Sequence, residues 1–430
     1  MSKPVKIIIV GMGERAEIYS RESLVHPELF QVVGVVDINP ERVNFARETF
    51  SIPKEHCFSS VEQLVSIPKF ADAVINATMD QQHVSTSLPL LRHGYDILLE
   101  KPFAINQQQA DQLINCCRQT GRRIMVCHVL RYSPFYRKIK ETVSSGEIGE
   151  ILNIQMAEQV SFFHESVSYV RGKYASPTLC GSGMLLSKCS HDLDIMVWLM
   201  SAARPVSVSS IGSLFQFKPQ MAPPEAGTHC LLDCPVEREC IYSARRLYLE
   251  HPQRWANNIW REYCGEIHSE ADKLRVLSEP DNPFSRCVYR CNISIVDHQS
   301  LLAGFSNGAT GVFSMNGGAS TSGRHIHITG TRGEILGTFE EQHFVISHIA
   351  PEVPGGRTVR TVDVSGEQCG NAHGGGDQAL VRDFIAMLRG EAVSPCCTSL
   401  EDSITGHRLV FLAETSRERN GETQYLDFLT

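Results

Sequence analysis

The chain has 430 residues, 42% of them hydrophobic and 20% charged, ordinary globular values that exclude disordered and fibrous architectures. Lys and Arg number 40 against 48 Asp and Glu, a net charge of −8, so no basic surface points to nucleic acid or an anionic membrane. No apolar run approaches the roughly 18 residues of a membrane span, and Ile7–Val10 stops at Gly11, too short for a secretory leader. The expectation is a soluble, cytoplasmic protein.

The first 145 residues alternate strand and helix signals. Val5–Val10 is broken only by Lys6, as in a strand buried on both faces, and Gln31–Asp37, Ala71–Ala77 and Asp96–Leu99 repeat the pattern. Between the last strand and Gly121, Asn106 caps a helix whose apolar residues Ala110, Leu113, Ile114 and Cys117 recur on one face. Ser133-Pro134 opens another helix that stops near Gly146. Such alternation predicts a parallel sheet covered on both faces. Beyond residue 146, Ile151–Phe163 reads as a long strand and Gly183–Met200 as one mostly apolar helix. Residues 214–290 read as an irregular insertion, and Ser300–Ile349 as an antiparallel meander. Helical patterns return at Asp377–Leu388 and Ser399–Arg417. The fold class is α/β: an N-terminal dinucleotide-binding domain, then an α+β domain with a large, mostly antiparallel open sheet.

Gly11-Met12-Gly13-Glu14-Arg15-Ala16 follows a strand and opens a helix, the context that gives a G-x-G-x-x-A turn its meaning. Gly11 allows the tight turn, Gly13 lets a pyrophosphate approach, and the helix N-terminus draws phosphate charge. Asp37 ends the second strand, where a carboxylate binds a ribose hydroxyl and repels a 2′-phosphate. NAD is therefore expected over NADP. Gly11, Gly13, Glu14, Arg15 and Asp37 are the cofactor candidates here, joined by Thr78, His83, Glu100 and Lys101 at the ends of later strands. A lysine at such an end, partly desolvated beside a nicotinamide, has a lowered pKa suited to proton transfer. In the apolar helix of residues 183–200, Lys188, His191 and Asp192 share one face, a polar wall that needs partners or a function. Arg131, Tyr132, Arg171, Tyr174 and Asp377 are weaker candidates for pocket walls.

Most of the fifteen cysteines read as small reduced core residues. Cys230, Cys234 and Cys240, spaced C-x₃-C-x₅-C in a stretch without periodic core pattern, are candidate ligands of a structural zinc. His229, Cys287 or Cys291 would supply the fourth ligand. The competing reading is reduced thiols filling gaps.

Taken in order, G-x-G-x-x-A, the acid ending strand two, T-M-D-Q-Q-H at 78–83, E-K-P at 100–102 and S-K-C-S-H-D-L-D at 187–194 resemble the glucose–fructose oxidoreductase/inositol dehydrogenase (Gfo/Idh/MocA) family. Arg131-Tyr132-Ser133-Pro134, Gly330-Thr331-Arg332-Gly333, Gly374-Gly375-Gly376-Asp377 and the Ser399–Ser403 segment extend the likeness to nearly the whole chain, 214–290 apart. The resemblance implies a Rossmann domain over 1–132 and a substrate and oligomerisation domain over 133–430, assembling as a homodimer or homotetramer. It implies NAD(P)-dependent hydride transfer at a hydroxyl carbon of a sugar, polyol or glycoside. Lys101 and His191 are then the catalytic pair; the favoured assignment has His191 accepting the hydroxyl proton and Lys101 polarising the oxygen, and the family precedent also allows the reverse. Lys188, Asp192, Arg131, Tyr132, Arg171 and Asp377 would contact substrate. One position departs from the family pattern: Ser187, four before His191, replaces an acid, and Lys188 follows it. Two alternatives stand beside this reading, NAD-dependent redox-cycling cleavage of glycosides and a non-catalytic NAD-binding sensor.

Overall fold

Six apolar strands near the N-terminus lie side by side in one parallel sheet. They are β1 (Val5–Val10), β2 (Phe30–Val36), β3 (Cys57–Phe58), β4 (Ala73–Asn76), β5 (Asp96–Leu99) and β6 (Ile124–Val126), in the order β3-β2-β1-β4-β5-β6. The computed structural model describes residues 3–200, 203–262, 269–367 and 373–426. Successive residues of β1 point to opposite faces, and both faces are buried: Ile8 and Val10 pack with Leu90 and Leu113 on one side, Ile7 and Ile9 with Tyr19 and Phe384 on the other. This explains the unbroken apolar runs. The strand order reverses at β1 and β4, so the crevice beyond their C-terminal ends is the place for a ligand. The expected helix signals hold: Asn106 Oδ1 accepts the Gln109 N–H at 2.9 Å, and Gly121 closes that helix at φ +66°.

The second sheet has nine strands: β7 (Ile151–Ser161), β8 (Pro205–Ser213), β9 (His298–Phe305), β10 (Thr310–Ala319), β11 (Gly323–Gly330), β12 (Gly333–Thr338), β13 (His343–Ile349), β14 (Arg357–Asp363) and β15 (Gln424–Tyr425). Their order is β14-β13-β12-β11-β7-β10-β9-β8-β15. The 300–349 segment is not the uninterrupted meander that its hairpin signals predict. β7 wedges between β10, which it pairs in parallel, and β11, which it pairs antiparallel. Alternation along a strand specifies which face is buried, not which strand lies beside it. The Met184–Met200 and Leu400–Glu418 helices cover one face through Leu193, Leu199, Leu409 and Val410. On the open face Leu152, Leu302 and Leu336 are exposed.

The division at residue 132 needs one correction. The Gly376–Arg389 helix does not stay with the second sheet: Leu380, Val381, Phe384 and Ile385 pack into the core beneath β1. An apolar stripe on a helix announces that it will be buried and does not name its partner.

Candidate active site

The glycine turn is built for close approach. Gly11 has φ +81°, and a Cβ there would stand 2.8 Å from the Ala77 carbonyl oxygen, so only glycine fits. A Cβ on Gly13 would meet nothing within 4 Å, leaving open space before the Glu14–Val25 helix, whose N-terminus has no side-chain cap. Free helix amides facing open space suit a pyrophosphate. Asp37 is buried at the end of β2; its Oδ2 accepts the Met12 N–H at 2.7 Å and its Oδ1 the Asn39 N–H at 2.8 Å. The carboxylate is thus fixed against the glycine turn. Glu14 is exposed at the first helical turn, and half-buried Thr78 follows β4 with its hydroxyl donating to Asn76 Oδ1 at 2.9 Å.

Two expected cofactor residues are otherwise engaged. Arg15 turns back to Glu100 (Nε–Oε1 2.9 Å), Tyr19 and Asp377, bracing the first helix against the end of β5 and the Gly376–Arg389 helix. His83 is buried with Nδ1 2.7 Å from the Pro102 oxygen and Nε2 3.0 Å from the Thr78 oxygen. It ties two strand-end turns together; with both ring nitrogens facing carbonyls, it has none to offer a ligand.

Lys101 and His191, far apart in sequence, come together through the Met184–Met200 helix. Lys101 Nζ donates to the Ser187 carbonyl oxygen at 2.6 Å, one turn before His191. Burial lowers the Lys101 pKa against the opposing pull of Glu100 and Asp80, while Lys188 and Arg15 add to the lowering. His191 is buried, and its Nδ1 has no hydrogen-bond partner among the described residues. Burial first, then the nearby Lys101, holds its pKa well below the usual imidazole value, so the ring is neutral at pH 7. Two further histidines stand against it, His128 at 5.7 Å between ring centroids and His373 at 6.4 Å.

The polar face of the helix meets charges from the second sheet. Lys188 pairs with Glu158 at 3.0 Å, and Arg324 Nε lies 2.8 Å from Glu158 and 2.9 Å from Asp192. Glu158 on β7 and Arg324 on β11 are direct cross-strand partners. Burial raises the Asp192 pKa to about 6, against the lowering pull of Arg324 and with Glu158 adding to the rise. Lys188, expected to contact substrate, is instead paired with Glu158. Glu158, Arg324, His128 and His373 carry no motif of their own and were not legible in the sequence. Their one signal is a charge or imidazole interrupting an otherwise apolar element. The insertion contributes too: Trp255 stacks on His164 at 3.6 Å with planes 3° apart, and the pKa of His164, lowered mainly by burial, is lowered further by Lys188, Arg254 and Arg324.

Several weaker candidates fall elsewhere. Arg131 makes a two-pronged pair with Asp194 at 2.7 and 2.5 Å, both side chains buried, so its fork is filled. Tyr132 packs in the core beneath β1. Arg171 is committed to the insertion, donating to Tyr248 Oη, Tyr242 O and Arg286 O. Asp377 is held by Arg15 and His373; burial pushes its pKa up, but the Arg15 guanidinium and the hydrogen bond with His373 more than offset that and hold it at about 2. Tyr174, half-buried beside Tyr169 and electrostatically coupled to Asp80 and Glu100, stays near the strand-end turns. Cys230, Cys234 and Cys240 line one small cavity, joined by Cys287. His229 does not join them: its ring nitrogens face the Glu279 oxygen and the Leu231 N–H.

Residues 5–128 match the family model described as "Oxidoreductase family, NAD-binding Rossmann fold", and residues 136–248 match that of the GFO/IDH/MocA C-terminal domain. The Bacillus subtilis (strain 168) oxidoreductase YteT is 26% identical over 369 residues, covering 83% of this chain and 82% of its own. Inositol 2-dehydrogenase of Corynebacterium glutamicum (strain R) is 25% identical over 218 residues, 48% of this chain and 57% of its own. Among solved structures, levoglucosan dehydrogenase in complex with NADH and L-sorbose superposes with a TM-score of 0.72 at 17% identity, covering 99% of this chain and 100% of that one, a shared fold.

Proposed function

The chain belongs to the Gfo/Idh/MocA family of NAD-binding oxidoreductases, and from that premise we propose that it oxidises or reduces a hydroxyl-bearing carbon of a sugar, polyol or glycoside. The carrying observation is the buried, neutral, unpartnered Nδ1 of His191 beside a lysine with a lowered pKa. Bound NAD supplies the hydride acceptor, or as NADH the donor. The chain's own residues do the rest. Lys101 Nζ spends one N–H on the Ser187 oxygen and has others to give a substrate oxygen. The His191 imidazole accepts the hydroxyl proton as the carbon–hydrogen bond breaks, and returns it in the reverse direction. Asp192, Lys188, Glu158 and Arg324 hold the helix that presents His191. Names of relatives, inositol 2-dehydrogenase and levoglucosan dehydrogenase, support the polyhydroxylated substrate class.

The reading extends to NAD in preference to NADP, because Asp37 fixes a negative charge where a 2′-phosphate would lie. It takes the protein as cytoplasmic, in keeping with free thiols at every described cysteine. It takes the open face of the second sheet as the contact of a homo-oligomer, and any zinc held by Cys230, Cys234 and Cys240 as structural. No helix of the described residues is long and apolar enough to cross a membrane.

A panel of sugars, polyols and glycosides, assayed with NAD for both NADH absorbance and released aglycone, tests the proposal. Net NADH with at least one polyhydroxylated substrate is expected. Aglycone release without NADH would replace it with redox-neutral glycoside cleavage. NAD binding with no turnover across the panel would replace it with a sensor.

A further inference from the structure

The insertion brings four cysteines from two distant segments to one point. A short antiparallel contact pairs His229 with Arg286; Cys230 N–H donates to the Ser285 oxygen at 2.7 Å, and Cys287 N–H to the Thr228 oxygen at 2.9 Å. This ladder sets Cys287 beside Cys230. The following turns carry Cys234 and Cys240 back, so that all four line a cavity of about 10 Å³. That is room for a body of about the size of one water.

A second observation concerns charge. Arg171 is 4% exposed, and its Nη2 donates to the Cys230 Sγ at 3.3 Å. Its other acceptors, the Tyr248 hydroxyl and the Tyr242 and Arg286 carbonyl oxygens, are all neutral. Glu237 lies on the same cavity but receives the Ser243 hydroxyl, and among the described residues no carboxylate forms an ion pair with Arg171. A buried cation with no anion is strongly unfavourable. Four thiolates around a divalent cation leave a net negative charge, placed here against the guanidinium. The backbone supplies a further donor of the kind that supports bound thiolates: the Tyr242 N–H points at Cys240 Sγ, 3.4 Å away.

We propose that Cys230, Cys234, Cys240 and Cys287 form a tetrathiolate site for one soft divalent cation of the zinc type, with Arg171 as its counter-charge. Among the described residues no three His, Cys, Asp or Glu side chains already surround one point as metal ligands. Loading therefore turns the sulfur atoms inward by side-chain rotation and releases their protons. The ion staples a segment with few regular elements and takes no part in hydride transfer.

The test uses the full chain, purified without chelator, with metal content read by elemental analysis. The metal-free, reduced protein is then titrated with Co²⁺, whose tetrahedral thiolate complexes absorb intensely in the visible. About one equivalent of zinc and a saturating cobalt–thiolate spectrum are expected. Cys230→Ser and Cys287→Ser should each drop below about a tenth of an equivalent, while Cys57→Ser keeps its metal. If the serine variants fail to fold, the cobalt titration of the unmodified chain decides alone. Less than about a tenth of an equivalent together with no cobalt–thiolate bands would overturn the proposal, as would iron with labile sulfide in place of zinc. These readouts need no substrate, so they stand apart from the outcome of the activity panel.

Discussion

The two walls of the candidate active site are made differently. One is the row of turns at the C-terminal ends of β1, β2, β4 and β5, where Gly11, Asp37, Thr78 and Lys101 are each placed by a strand that ends just before them. Backbone hydrogen bonds and a glycine-only conformation hold this wall, and each part of it is local. The other is the Met184–Met200 helix against β7 and β11. There Lys188, Asp192, Glu158 and Arg324 hold one another by buried ion pairs between three separate elements, with Arg324 on β11 more than a hundred residues from its partners. The first wall carries reactive groups on a scaffold that does not depend on them. The second depends on its charges for its shape, because a buried charge whose partner is removed is strongly unfavourable.

Four substitutions sharpen or break that contrast. Lys101→Ala should lower turnover by about 10²–10⁴-fold with NAD affinity and stability nearly unchanged; near-normal turnover on an established substrate would make Lys101 a scaffold residue. Arg324→Met, on the opposite wall, should destabilise the fold by about 3–5 kcal/mol in urea unfolding, since Glu158 and Asp192 are left facing each other. A loss under about 1 kcal/mol would mean the network is not what holds this wall.

Asp377 probes the joint between the first helix and the Gly376–Arg389 helix. Its pKa is held at about 2, below the ordinary value of 3.8, so its contribution is present above about pH 4 and is lost as pH falls towards 2. That window is worth about 2 kcal/mol, and Asp377→Asn should remove this part of the acid sensitivity of unfolding. The smallest effect is at Asp37. Asp37→Ala should narrow the NAD-over-NADP preference by about tenfold, some 1.4 kcal/mol, in paired binding titrations. Equal NADP binding by the unmodified chain would show that Asp37 does not set the choice.

His191 gives the comparison a pH signature of its own. Since burial and the neighbouring Lys101 keep its ring neutral, kcat/KM should show no inflection near the ordinary histidine value of about 6.5. An acid limb centred there that survives Asp192→Asn, which removes the neighbouring carboxyl raised to about 6, would place His191 in a more solvated setting than the fold provides.

By itself the sequence determined the parallel sheet, the glycine turn, Asp37, Lys101 and the helix of His191. In each case one short stretch contains the whole physical cause: an apolar run, a positive φ, a cap, a strand end. The capping of Asn106 belongs to the same class. Tertiary structure alone decided that β7 divides the expected meander, that the Gly376–Arg389 helix returns to the first domain, and that Arg15, His83, Arg131 and Arg171 spend their donors on the protein itself. It alone brought Glu158 and Arg324 to Lys188 and Asp192, and Cys287 to Cys230. A charge or thiol declares in sequence that it needs a partner, but which partner it meets depends on strand register and helix docking across the whole chain, and periodicity within one element does not encode either.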